Sequence, residues 1–355
     1  MFTGVDVGGS EIKALLVDRT GAVSARYRGP TPPAGPRVAE RVVEAVARAV
    51  AELGDDRATP VGVVVPGLVD EAAGVAGSSA NLGWSDVPMA QLAERALGRP
   101  VAFGHDVRAG ALAELRLGAL SGRSGAVDAA FVPIGTGVAA ALVLGGRLHA
   151  AGGLAGEIGH VDVGHGEPCV CGHTGCLEAV ASAAAIARRY EARTGRAAGS
   201  GQVARLVAAG DPEAVAVWDD AIAGLVIALR WLAAVVAPEI IVIGGGLAQA
   251  GPALLDPLQA RLDAALTYQR RPRLVPAQLG ADAGALGAAL LAADLAADLA
   301  ADPGADVAAD VAADWAAGVA ADLGADVAAD PGADVAGDFG ADVAGDPAWG
   351  GPTCP

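Results

Sequence analysis

Two stretches of this chain read as a strand, a glycine turn and a second strand, and that repetition restricts the fold more than any other feature. In the first, residues 2 to 8 alternate into a short apolar strand, Gly8-Gly9-Ser10 turn the chain, and Ile12 to Val17 form the second strand. An Asp18-Arg19-Thr20-Gly21 turn leads to a third strand near Ala22 to Arg28. In the second stretch, Ala129 to Ile134 and Val138 to Leu144 flank Gly135-Thr136-Gly137. A strand pair bent around glycine lets backbone N–H groups come close to phosphate oxygens, because no Cβ stands in the way. Each hairpin is followed by helix and parallel-strand patterns. Val38 to Leu53 carries apolar residues at helical spacing. Val61 to Val65 reads as a buried parallel strand ending in Pro66-Gly67, and Val101 to Gly104 as another. Asp106 then stands where it can cap a helix running to about Leu117. Glu239 to Ile243 is a strand entering Gly244-Gly245-Gly246. One such turn alone is more often only a tight turn. Their order along one chain predicts a duplicated α/β protein with ligands between the halves.

With 355 residues the chain is long enough for two domains with cores of their own. Its formal net charge of −17 is unevenly spread. From Asp294 to Asp346 an Asp recurs every fourth residue, failing only at Gly318, while no Lys or Arg follows Arg273. The acidity therefore belongs to a tail, residues 293–355, and the rest is close to balanced. On a helix, Asp at i and i+4 stacks like charges, and Pro303, Pro331 and Pro347 break any long helix. Low complexity and one-signed charge predict a disordered tail, more simply read as an expanded repeat than as an interaction segment. A basic nucleic-acid footprint is absent. Gly, Pro or a charge interrupts every long apolar run, and the first residues lack a basic stretch followed by an apolar one. No membrane association and a cytoplasmic location are the expectations.

The ordered motifs resemble the ROK family of sugar kinases. Asp6-Val7-Gly8-Gly9-Ser10-Glu11-Ile12-Lys13 is similar to that family's first phosphate motif, and Pro133-Ile134-Gly135-Thr136-Gly137-Val138 to its second. Ile241-Val242-Ile243-Gly244-Gly245-Gly246 resembles the adenosine-side turn. Gly153-Leu154-Ala155-Gly156-Glu157-Ile158-Gly159-His160, then Cys169-Val170-Cys171-Gly172 and Gly175-Cys176-Leu177-Glu178, is similar to the family signature almost residue for residue. The resemblance covers residues 1 to about 292. It implies an actin-like, ribonuclease-H-like α/β fold of two lobes, with ATP and sugar between them. Residues 1–117, completed by a helix near 281–292, form the expected N-terminal lobe, and residues 118–280 the C-terminal one. It implies glucokinase-like activity on glucose at the 6-hydroxyl, with N-acetylglucosamine, N-acetylmannosamine and fructose as other substrates. ATP or polyphosphate is the donor, Mg2+ the metal and a homodimer the assembly. Repressor members carry a helix-turn-helix before the first phosphate motif. Asp6 comes almost at once here, so an enzyme is expected. A catalytically silent sugar-binding protein is the alternative of a different class.

Phosphoryl transfer to a hydroxyl needs a phosphate cradle with metal, a base and positioning. The hairpins supply the cradle: Asp6, Gly8, Gly9, Ser10 and Lys13 in one, Gly135, Thr136 and Gly137 in the other, with Gly244, Gly245 and Gly246 toward the nucleoside. Asp6 is the candidate to help hold magnesium. Asp106 is the candidate base, at a helix start after a parallel strand, where ligands meet α/β sheets and an ionised carboxylate is favoured. By resemblance, Asn81, Glu157, His160 and Glu178 contact the sugar, with His105, Asp106 and Gly67 close by. Trp84 is a packing residue or a stacking platform. His105 stands where the family commonly has Asn, so sugar binding is expected to persist with altered preference. Ser10 keeps the hydroxyl of the usual Thr, and Glu11 brings a negative charge toward the phosphates.

His160, Cys169, Cys171 and Cys176 offer one imidazole and three thiolates, a frequent tetrahedral zinc set. In a chain expected to be cytoplasmic such a cluster points to metal rather than disulfides. His173 is the rival fourth ligand, and the resemblance favours His160. Glu157 precedes the first ligand by three residues and Glu178 follows the last by two, so a structural zinc would order both sugar-binding segments. His160 would keep one ring nitrogen on zinc and the other toward a hydroxyl. Cys354 has no evident role.

Overall fold

The computed structural model describes residues 1–55, 58–79, 81–123 and 127–301. The first glycine hairpin opens a five-stranded sheet. β1 (Phe2–Val7) and β2 (Glu11–Val17) pair antiparallel with Asp6 opposite Lys13, and β3 (Val23–Pro30) extends the pair. Helix α1 (Val38–Glu52) crosses to β4 (Val61–Val65), which lies parallel to β1 on its other side. Three short strands follow, β5 (Leu68–Asp70), β6 (Val75–Ser79) and β7 (Trp84–Val87), forming a small antiparallel sheet that the sequence patterns did not reveal. Helix α2 (Met89–Leu97) leads to β8 (Val101–His105), parallel to β4, and then α3 (Asp106–Arg116).

The second hairpin builds a sheet on the same plan. β9 (Ala129–Pro133), β10 (Ala141–Leu144) and β11 (Arg147–His149) run antiparallel. Helices α4 (Leu177–Ala181), α5 (Ala183–Thr194), α6 (Ser200–Ala208) and α7 (Pro212–Val236) precede β12 (Ile240–Gly244), which pairs parallel with β9. Helix α8 (Pro252–Ala265), β13 (Arg273–Pro276) and α9 (Ala283–Ala301) complete the described chain. The strand orders are β3-β2-β1-β4-β8 and β11-β10-β9-β12-β13, so an antiparallel trio continued by two parallel strands occurs twice.

Local chemistry accounts for the elements. Every residue of β4 and β12 is buried, as expected of parallel strands covered on both faces. In α1, Val38, Val42, Val46, Ala49 and Val50 fall on one face and pack over the first sheet. Asp211 accepts hydrogen bonds from the N–H groups of Glu213 and Ala214, and Pro212 opens α7 with its fixed φ.

Helix α9 lies directly on β1, β4 and α3. A Cβ at Gly4 would strike the Ala285 carbonyl, one at Gly62 that of Ala288, and one at Gly287 that of Ala109. These glycines are bare because backbone meets backbone. The segment Gly280–Ala301 is long and apolar enough to cross a membrane, but its buried residues pack against β1, β2 and α3.

Three expectations shift. The second strand of the second hairpin begins at Ala141, not Val138. Only an isolated bridge joins Ile134 to Val138, because the Val138 N–H donates to Glu178 and the Ala140 N–H to the Gly156 carbonyl. The closing helix runs past 292 to Ala301, with Asp294 paired to Arg116 on α3 at 2.8 Å. Residues 302–355, which hold most of the Asp repeat and Cys354, lie outside the described residues. Asp106 is the first helical residue of α3 rather than its cap, which is His105.

Candidate active site

The ends of β1 and β8 bring two carboxylates together. Asp6, at the hairpin edge, faces Lys13 across the β1–β2 pair at 3.9 Å. Burial pushes Asp6 up to about 6 against the opposing pull of Lys13. Asp106 is pushed up to about 7, first by burial and then by the charge of Asp6, while the Val107 N–H bond and Arg108 oppose the rise. Asp106 Oδ1 accepts a 2.7 Å hydrogen bond from the Val107 N–H. Among the described residues no protein group is bonded to Oδ2. A carboxylate fixed through one oxygen and poised near neutrality is suited to take a proton with the other.

His105 is buried beside it, Nε2 3.4 Å from Asp106 Oδ1. Burial, then Arg108, lowers His105 to about 3, so the ring is neutral at working pH. Its buried Nδ1 has no hydrogen-bond partner among the described residues, which leaves one polar atom for a ligand hydroxyl. The backbone of His105 is held from the small sheet. Glu71 Oε1 accepts from the His105 N–H at 3.1 Å and from Arg108 Nε at 2.9 Å. Buried Arg108 also donates to the Val69 carbonyl at 3.1 Å and the Gly153 carbonyl at 3.5 Å, joining β5, α3 and the loop leading to Glu157. Sequence reasoning missed Glu71 and Arg108. Arg108 lies two residues after Asp106, but nothing in the sequence announced its distant partner.

The first hairpin is braced internally. The Gly8 N–H donates to the Glu11 carbonyl, and Thr31 donates through its hydroxyl to Gly8 and through its N–H to Ser10. Glu11 is paired with Arg28 at 3.1 Å, so its charge is countered rather than bare beside the hairpin. Asn81 lies against Gly9, where an added Cβ would stand 3.5 Å from its own. Gly67, at φ 101°, backs onto the Ser78 carbonyl. Trp84 is buried in the first core and is a packing residue.

In the second hairpin the Gly135 N–H bonds the Gly137 carbonyl, and Thr136 is exposed at the tip. Glu178, on the first turn of α4, accepts the Val138 N–H at 2.9 Å, a closeness possible because Gly137 has no side chain. Burial holds Glu157 above the usual carboxylate range, with His160 opposing and Glu178 reinforcing the shift. Gly244 and Gly245 press against Phe131 and Ile134 at the base of this hairpin. Gly246 instead faces a cleft of about 310 Å3 shared with Ser200, Gly201, Arg205, Leu247 and Gln249.

The ligand atoms of His160, Cys169, Cys171 and Cys176 all lie within 4.8 Å of one another. Cys171 Sγ and Cys176 Sγ are 3.6 Å apart, and Cys169 Sγ is 3.8 Å from His160 Nδ1. Thiolates about 2.3 Å from a tetrahedral zinc stand about 3.8 Å apart, so donors and spacing fit that ion. His173 is not in the group, although its carbonyl accepts the Cys169 N–H. His160 Nδ1 faces the sulfurs, leaving Nε2 for another partner. Burial, first among causes, pushes the Cys176 thiol up to about 12, so metal capture there must displace a proton.

Comparisons with known proteins identify the family. The model of the ROK family matches residues 2–295. The glucokinase of Halalkalibacterium halodurans is 32% identical over 289 residues, covering 74% of this chain and 85% of that protein. A ROK family glucokinase from Streptomyces griseus, solved with glucose and AMPPNP, superposes with a TM-score of 0.73 at 29% identity, covering 82% of this chain and 99% of that one. The ROK hexokinase of Thermus thermophilus gives a TM-score of 0.67 at 36% identity, covering 84% and 99%.

Proposed function

Because this chain belongs to the ROK family and is a sugar kinase with the actin-like two-lobe fold, we propose that it moves the γ-phosphoryl group of ATP to the 6-hydroxyl of a hexose, glucose first, with Asp106 as base. One observation carries the residue assignment: Asp106 is half-buried, held through Oδ1 and pushed up to about 7 beside Asp6 and Lys13. In this reading Oδ2 takes the hydroxyl proton as the sugar oxygen attacks phosphorus. The amides of Gly8 to Ser10 and of Gly135 to Gly137 receive the phosphates, and Lys13 offsets their charge. Asp6 helps hold Mg2+, which when bound neutralises charge on the β- and γ-phosphates. Gly244, Gly245 and Gly246 border the nucleoside.

Asn81, Glu157, His160 and Glu178 hold the sugar hydroxyls, with the Gly67 backbone alongside. His105 offers its neutral Nδ1 where an amide is usual in the family. His160, Cys169, Cys171 and Cys176 hold a structural zinc, a reading supported by the donor set and its spacing. The same proposal divides the chain into lobes at 117/118, with the helix near 281–292 completing the first, and takes a cytoplasmic homodimer as the working form. The resemblance alone supports the dimer, which sedimentation would test.

The deciding experiment is coupled ADP release with Mg-ATP or polyphosphate against glucose, mannose, fructose, N-acetylglucosamine and N-acetylmannosamine, for wild type and Asp106→Asn. Turnover with one sugar, lost by several orders of magnitude in the variant, supports the assignment. An Asp106→Asn enzyme within tenfold of wild type removes Asp106 as base, and a preference for an N-acetylated sugar replaces glucose.

A further inference from the structure

Gly284 stands in the first turn of α9, and what it faces across the fold is the Asp6 carboxylate. A Cβ placed there would lie 2.6 Å from Asp6 Oδ2 and 2.8 Å from Asp6 Cγ, well inside contact. The other glycines of this packing, Gly4, Gly62 and Gly287, would strike backbone carbonyls of Ala285, Ala288 and Ala109. Their bareness sets how closely the elements approach. At Gly284 the obstacle is instead the far end of a side chain in the site. Lys13 Nζ stands 3.9 Å from the same Oδ2, so that oxygen is set between an ammonium and a bare helix turn.

We infer that Gly284 is a positioning residue: its missing side chain leaves the space in which the Asp6 carboxylate takes the orientation that serves the metal–nucleotide. The inference rests on the reading of Asp6 given above. Helix propensity does not explain the glycine, since α9 is otherwise mostly Ala and Leu with Asp294 and Asp298, and Ala is the better helix former. Nor does the fold demand it, because a carboxylate can rotate away from an added methyl where a backbone carbonyl cannot. Rotation would also alter its 3.9 Å pairing with Lys13, the charge that opposes its burial.

The test compares wild type, Gly284→Ala, Asp6→Asn and the double variant. Mn2+ binding is read from the EPR signal of free Mn2+, with the protein saturated by a non-hydrolysable ATP analogue. Thermal melting and the Mg2+ dependence of hexose turnover are followed alongside. Gly284→Ala should melt at or above the wild-type temperature, weaken Mn2+ binding about 10-fold and raise the half-saturating Mg2+ in proportion. It should add nothing to Asp6→Asn. Wild-type Mn2+ affinity in Gly284→Ala overturns the proposal, and so does loss of its cooperative melt, since the contact would then not be a yielding one. Equal effects in both backgrounds overturn it as well. If Asp6→Asn itself binds Mn2+ normally, the reading of Asp6 falls and takes this one with it. If Asp6→Asn loses Mn2+ and Gly284→Ala does not, only the positioning role falls.

Discussion

At the scale of single residues, Asp106 ties rate to stability. Its pKa of about 7 lies above the ordinary 3.8, so the folded protein holds this proton more tightly than the unfolded chain does. Stability from that proton is full below the unfolded value and is lost as pH rises through about 7. The ionised form, in which the proposed base works, is thus the less stable one. Asp106→Asn should melt higher than wild type at pH 8, by about 1–3 kcal/mol for a carboxylate partly open to the cleft, with the gain shrinking toward pH 4. Differential scanning fluorimetry across pH reads this directly, and an equal difference at both ends would contradict it. The same proton predicts an acid limb in kcat/KM near pH 7 for wild type. His105 makes a different prediction. With the ring neutral and only Nδ1 unpartnered, it offers less to a hydroxyl pair than an amide does. His105→Asn should therefore change the ratio of kcat/KM values among hexoses by about 10-fold or more while leaving the ATP KM within twofold. An unchanged ratio would remove His105 from sugar selection.

At the scale of elements, α9 shows how unequal its contacts are. Gly62→Ala drives a methyl into the Ala288 carbonyl, and neither β4 nor the helix can yield cheaply. Overpacking of this kind costs about 1–3 kcal/mol and should lower the urea midpoint accordingly. Asp294→Asn breaks a two-bonded ion pair with Arg116, but one open to solvent, and should cost under about 1 kcal/mol. These elements also mark what the sequence made legible. The hairpins, α1, the parallel strands and the position of Asp106 were readable because glycine turns and apolar periodicity are local signals. The cysteine cluster was readable because its donor chemistry is. The sheet β5–β7 was not, being built of strands of three to five residues with mixed burial. The end of α9 was misjudged because Asp294 and Asp298 repel along the helix, while the compensating Arg116 comes from another element. Glu71, Arg108 and Gly284 matter through distant partners, and no local pattern names a partner more than thirty residues away.

At the scale of the whole molecule, the cysteine cluster and the second glycine hairpin form one mechanical chain. The loop from His160 to Cys176 closes on itself through the four donors, and Cys176 leads at once into α4. Glu178, in the first turn of that helix, holds the Val138 N–H beside Gly137. The loop is further anchored by Glu167 on buried Arg189, which also bonds Asp220 of α7 at 2.6 Å. A zinc ion would therefore fix Glu157, His160 and Glu178 relative to the phosphate turn, so that sugar and donor are held in one frame. If the metal only stabilised the fold, its removal would lower the melting temperature and leave KM values of the surviving folded enzyme unchanged. If it orders the pocket, a zinc-free preparation verified by elemental analysis should stay folded at low temperature yet show a hexose KM raised about 10- to 100-fold, with a smaller rise for ATP. In the proposed reading the nucleotide is also held by the first hairpin and the Gly244 turn, neither of which contains a ligand of the cluster, and this asymmetry separates the two outcomes. Readdition of zinc should restore the sugar KM, and Cys171→Ser, which removes the exposed thiol, should reproduce the zinc-free values without chelator.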